Sequence, residues 1–159
     1  MKLYLKRDTS SDSARFEVLD ERGDRYLTAT GRRNPAGETV RLCRDGRAIA
    51  RIRDLNLSVL NAYGITTPSE SARLILAIGG GTLSARFRGI SFYIRGDVLS
   101  GAFDILDADN TVVCAVSKKL SKGYTELTVY NSQRELFCIA SVICIESVAS
   151  AATPMLQTV

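Results

Sequence analysis

Arginine and lysine carry most of what this chain could do chemically. Arg41, Arg44, Arg47, Arg51 and Arg53 crowd one short stretch, Arg32 and Arg33 precede them in a breaker-rich loop, and Lys118, Lys119 and Lys122 form a second group. Guanidinium forks and ammonium groups are the side chains that hold phosphate and carboxylate oxygens. Arg32, Arg33, Arg44, Arg47, Arg51, Lys118, Lys119 and Lys122 are therefore the candidate residues for an anionic headgroup; the bland alternative for the three lysines is a solvated hairpin tip. If Arg44 pairs with Arg47 across Asp45-Gly46, then Arg51 and Arg53 share the face of Arg47 and Arg41 takes the other.

Other chemistry is thinly represented. Histidine is absent, which removes the commonest general base and the commonest transition-metal ligand together. Cys43, Cys114, Cys138 and Cys144 have no CxxC spacing and read as buried, reduced thiols. Gly79-Gly-Gly-Thr82 lacks the Gly-Lys-Ser/Thr that would continue a phosphate loop, so it reads as a hairpin turn. Asp104, Asp107, Asp109 and Asn110 invite calcium, but counting from Asp107 the glycine and glutamate places of a calcium loop hold Val112 and Lys118, and turn chemistry is the better reading. No serine or carboxylate has a base partner at a recognisable spacing. The expectation is a non-catalytic protein with no cofactor and no metal.

The net charge of +4 is unevenly placed: residues 1–60 hold thirteen Lys and Arg against nine Asp and Glu, and residues 61–159 hold eight of each. A basic excess in the first part of the chain is compatible with weak attraction to acidic lipid headgroups or nucleic acid, but solubility alone is the better reading. Nucleic acid is not expected, because neither interleaved exposed aromatics nor a reading helix is visible. Met1-Lys-Leu-Tyr-Leu-Lys-Arg has no long apolar core and is not a secretory signal, which places the protein in the cytoplasm or at the periphery of a membrane.

The elements that must position these groups are mostly short strands. Lys2–Lys6, Arg15–Asp20, Arg25–Thr30, Thr39–Cys43, Ala48–Ile52, Asn61–Ile65, Ala72–Ile78, Thr82–Phe87, Ser91–Arg95, Gly101–Leu106, Thr111–Val116 and Tyr124–Val129 alternate or run apolar between turn residues, and Asp45-Gly46 is a strong hairpin signal. One long apolar run follows, Leu136 to Ala152, with no broad polar face. Ser132 and Glu135 have capping-box spacing and open a helix over about 133–150. Glu146 late in the run is expected to reach the mouth of the fold and solvent. A helix apolar on every side must be enclosed, and a sheet of a dozen strands must expose edges or close; closure around the helix answers both demands. The fold class is mainly β: a closed barrel of about twelve mostly antiparallel strands around a central C-terminal hydrophobic α-helix. A single domain covers 1–152, and 153–159 is a short tail.

Phe92-Tyr-Ile-Arg-Gly96, Gly101-Ala-Phe-Asp-Ile105, Ala115-Val-Ser-Lys-Lys119 and the closing helix through Val142–Val148 resemble the LURP-one-related family, which shares the Tubby C-terminal-like fold with phospholipid scramblases. The likeness covers residues 90–150 and departs at Leu120, where an aromatic residue is common in the family. It implies a barrel from Lys2 to Val129 enclosing a helix from Gln133 to Ser150. Relatives include phosphoinositide-binding Tubby proteins, so the resemblance also implies that basic barrel residues, here Lys118, Lys119 and Lys122 among them, meet acidic headgroups. The expected function is binding of acidic phospholipid headgroups or a protein partner through a basic surface. The alternative is a small apolar ligand or lipid, handled or transformed in a pocket at a barrel end.

Overall fold

The computed structural model describes residues 1–8, 15–32, 39–55 and 60–157, with backbone alone at Arg32 and over 151–157. Among the described residues there are twelve strands: β1 (Lys2–Asp8), β2 (Arg15–Leu19), β3 (Arg25–Arg32), β4 (Thr39–Arg44), β5 (Arg47–Asp54), β6 (Asn61–Thr66), β7 (Ser71–Gly79), β8 (Thr82–Arg88), β9 (Tyr93–Asp97), β10 (Ala102–Leu106), β11 (Val112–Lys119) and β12 (Tyr124–Val129). One helix follows, α1 (Glu135–Gln157).

Alternation decides which side of each strand is buried. Leu3 and Leu5 of β1, Phe16 and Val18 of β2, Leu74 and Leu76 of β7, and Leu127 and Val129 of β12 point to the core, with Tyr4, Glu17, Ile75 and Thr128 between them on the other face. The connections obey turn chemistry. Asp45 and Gly46 take φ of 51° and 77°, the positive pair that a tight hairpin demands. Asp107 accepts from the backbone N–H groups of Asp109 (2.9 Å) and Thr111 (3.1 Å), so its carboxylate builds a turn.

Every strand pairs antiparallel with its neighbour in the order β8-β7-β6-β5-β4-β3-β2-β1-β12-β11-β10-β9, a meander whose one non-sequential pairing, β1 with β12, brings its two halves together. The barrel is nearly closed, as β8 and β9 come side by side with no hydrogen-bonded register between them. A three-ring cluster fills the wall behind this seam: Phe87 of β8, Phe92 just before β9, and Phe137 of α1, with ring centroids 5.7–6.1 Å apart.

The helix is enclosed as its sequence demands. Phe137, Cys138, Ile139, Ala140, Val142, Ile143, Cys144 and Ile145 are each at most 2% exposed, and α1 touches β5, β6 and β7 on one side and β11 and β12 on the other. Burying each large side chain contributes about 1.5–3 kcal/mol. The serines within the interior satisfy themselves: Ser141 donates to the Phe137 carbonyl (2.7 Å) and Ser147 to that of Ile143 (2.8 Å). No helix among the described residues is long and apolar enough to cross a membrane.

Two expectations are corrected. The helix entrance is not a capping box. Asn131 caps a short 3-10 turn, Ser132–Arg134, by accepting from the Gln133 N–H (3.1 Å), while Glu135 turns away to Tyr26 and Arg44. The helical backbone also continues to Gln157, beyond the expected end near 150.

Candidate functional site

The hairpin of β4 and β5 controls where its arginines point. Arg44 does face Arg47 across the turn, but the register then shifts: Cys43 pairs with Ala48 and Leu42 with Ala50, leaving Ile49 as an extra residue in β5. This bulge changes the parity of everything beyond it, so Arg41 lies directly opposite Arg51 and on the same face, contrary to the simple alternation expected for an unbroken hairpin. Ala50 and Ile52 point inward and Arg51 and Arg53 outward.

Following the register across the sheet extends this outward set. Arg53 is opposite Gly64, Gly64 opposite Arg73, and Arg73 opposite Arg88. Arg86 lies two residues from Arg88 on β8. The outer face of β4–β8 thus presents Arg41, Arg51, Arg53, Arg73, Arg86 and Arg88, all exposed. The five strands contain one carboxylate, Asp54 at the last position of β5, in register with Tyr63. Among the described residues none of the six guanidinium groups has a carboxylate oxygen within 4.0 Å. Elsewhere among the described residues some cations are paired, Arg25 with Glu17 at 3.0 Å, Arg95 with Asp104 at 3.4 Å and Lys2 with Glu126 at 3.6 Å, while others such as Arg47 and Lys122 are not. Like charges placed directly opposite on a sheet destabilise it. This face carries two such pairs, Arg41 with Arg51 and Arg73 with Arg88.

A notch of about 380 Å³ opens in this face, lined by Leu55, Gly64, Ser71, Ala72, Arg73, Arg88 and Gly89. Its floor is the missing side chain of Gly64, and Leu55 leans over one side, with its Cδ2 3.8 Å from where a Cβ on Gly64 would stand. The Ser71 hydroxyl, 3.3 Å from that of Thr66, lies at another edge.

The described residues among the eight singled out from the sequence do not assemble. Arg51 belongs to the outer face just described, while Arg47 is exposed at the β4–β5 turn. Arg44 is committed elsewhere, with its guanidinium 4.6 Å over the Tyr26 ring and 3.4 Å from Glu135 Oε1, holding the start of α1. Arg32 ends β3, its side chain not described, and Arg33 falls outside the described residues. Lys118, Lys119 and Lys122 sit at the other end of the barrel from Arg44 and Arg47, around the 3-10 turn Leu120–Lys122 between β11 and β12. The residues that join Arg51 were legible as alternation, in Ala72-Arg73-Leu74 and in Arg86-Phe87-Arg88, but only the meander order makes them neighbours.

Beside those lysines, the open seam widens into a cleft of about 680 Å³ bounded by Thr82, Leu83, Gly96, Val98, Leu99, Lys118 and Leu120. Val98, Leu99 and Lys118 also line a small inner cavity that reaches Val142, Ile145 and Glu146 of α1. Glu146 does not run to open solvent; it is half-buried and accepts a hydrogen bond from the buried Thr125 hydroxyl.

Two buried thiols and one phenol are held in their neutral forms. Hydrogen bonding with Cys114 and burial push the Cys138 thiol up, and burial does the same to Cys144, so neither supplies a thiolate nucleophile. Burial and the bond to Glu135 push the Tyr26 phenol up to about 12. Among the described residues no group of His, Cys, Asp and Glu could hold a metal ion. No family model, curated protein or solved structure matches the chain.

Proposed function

We propose that this barrel is a non-catalytic, peripheral membrane-binding protein that docks acidic phospholipid headgroups on the outer face of β4–β8. The observation that carries this reading is a face of six exposed arginines without a carboxylate among them. Strands about 4.8 Å apart put the face across roughly 19 Å, wide enough to meet several headgroups together. Each cation near an anionic membrane contributes about 1 kcal/mol, and salt screens it over about 10 Å at 0.1 M. The binding is accordingly reversible and sensitive to ionic strength. The resemblance of residues 90–150 to a group with headgroup-binding members agrees with this reading.

Co-sedimentation with phosphatidylcholine vesicles, with and without phosphatidylserine, tests it. The expected result is capture by the acidic vesicles alone, lost on adding salt and lost in the Arg41→Ser/Arg51→Ser/Arg53→Ser variant. Equal capture by neutral vesicles, no capture by either, or an unaffected triple variant would overturn it. A second reading rests on the cleft at the seam, with its apolar walls and Lys118 at the rim: an amphiphile with an acidic head. Displacement of a fluorescent fatty acid, lost in Leu99→Asp, tests that reading independently.

A further inference from the structure

Gly64 stands in the interior of β6, between Arg53 on one neighbouring strand and Arg73 on the other. Nothing in the fold asks for glycine there. Its φ is not in the left-handed region, and a Cβ would meet no atom closer than 3.8 Å. A glycine inside a strand weakens it, and where conformation does not require one it marks a place where something approaches the backbone closely. Here the gap lies in the acid-free arginine face.

We propose that the notch over Gly64 binds a single phosphate dianion, either free or as a phosphomonoester headgroup, between the guanidinium groups of Arg73 and Arg88 with Arg53 closing the far side. This rests on the reading of the face as a headgroup-docking surface and adds to it a defined, stereospecific seat. Arg73 and Arg88 are direct cross-strand partners, so their Cβ atoms are about 4.5–5.5 Å apart and both forks reach one anion. Arg53 and Arg73 are separated by two strand spacings, roughly 9.6 Å, with no side chain on Gly64 between them and Leu55 reaching in from one edge. An anion in that gap receives donors from both sides and relieves the repulsion between Arg73 and Arg88. Ser71 offers a hydroxyl at the rim, and Leu55 shields one flank from water. A volume of about 380 Å³ is at the small end of ligand sites and has room for a phosphate and part of its ester.

Gly64→Val separates this seat from the general charge of the face. It keeps every arginine, suits a strand better than glycine, and fills the notch. Calorimetry with inorganic phosphate, and co-sedimentation on vesicles of phosphatidic acid or phosphatidylglycerol at matched surface charge, are run on the full chain and on the variant. The proposal expects wild-type protein to prefer phosphatidic acid, and Gly64→Val to lose that preference by about tenfold or more while holding to phosphatidylglycerol. Saturable one-to-one binding of inorganic phosphate, lost in Gly64→Val, identifies a free-phosphate seat; binding to phosphatidic acid vesicles without it identifies the headgroup. Equal capture by both acidic lipids, or a phosphate or phosphatidic acid response unchanged in Gly64→Val, overturns the seat and leaves the docking face standing. Phosphate binding with no vesicle capture overturns the membrane reading and leaves the seat. Arg88→Ser serves as the second variant and is expected to match Gly64→Val on phosphate, with unchanged far-UV circular dichroism.

Discussion

Replacing Phe137 by alanine tests what holds the wall together where no ladder does. Its ring is 1% exposed and makes contacts at 5.7 Å with Phe87 and 5.8 Å with Phe92, the residues that carry the two edges of the sheet. Truncating a buried phenylalanine costs about 3–5 kcal/mol, and two ring pairs worth about 0.5–1.5 kcal/mol each push the figure to the top of that range. For a chain of this length each kcal/mol moves the midpoint by about 2–4 °C, so a fall of roughly 10–20 °C follows. The chain has no tryptophan, so unfolding is followed by far-UV circular dichroism in urea. Hydrogen exchange adds the spatial signature: amides of β8 and β9 lose protection first, and those of β4 and β5 keep it. A loss below about 2 kcal/mol, or protection falling equally in β4–β5 and β8–β9, would refute the argument that these rings close the seam.

Ile143→Asp places a charge inside the wall and is expected to abolish soluble protein on expression, whereas a surface helix would tolerate it. Gly96→Ala brings a Cβ to 2.6 Å from the Ala102 carbonyl oxygen and 2.8 Å from Phe103 Cα, at a φ of 120°, and should cost about 2–4 kcal/mol; Gly64→Ala, with an ordinary φ and no contact closer than 3.8 Å, should cost nothing or stabilise, by the same urea titration. Tyr26 keeps its proton in the folded state up to about pH 12 while the unfolded chain releases it near 10, so the stability it contributes is present below pH 10 and falls as pH rises from 10 to 12. Tyr26→Phe should flatten that fall, and it should also lower stability at neutral pH by about 1.5–3 kcal/mol through loss of the bond to Glu135, both read by urea midpoints at pH 8 and pH 11.

Much of the architecture was legible because it rests on local rules. Strand after strand alternates, Asp45-Gly46 and Gly79-Gly80-Gly81 turn the chain where their φ values allow, and an apolar run without a polar face demands an enclosure. What escaped depends on single insertions and on distant partners. Ile49 is an unremarkable residue, yet its bulge moves Arg41 to the face of Arg51. Glu135 has the spacing of a capping residue, but Tyr26 and Arg44 are more than ninety residues away in sequence and offer it stronger bonds, so Asn131 caps instead. The Gly64 notch needs three strand registers at once, from β5 through β8, before Arg53, Arg73 and Arg88 become neighbours.

The pairing of β1 with β12 sets a timetable for synthesis. Leu3 sits across from Leu127, so a strand made early waits for one made more than a hundred residues later, roughly ten seconds at ordinary elongation rates. The helix that fills the interior is translated later still. For all that interval the inward leucines and phenylalanines of β1–β8 have no core to cover, so the barrel cannot close until α1 has been made.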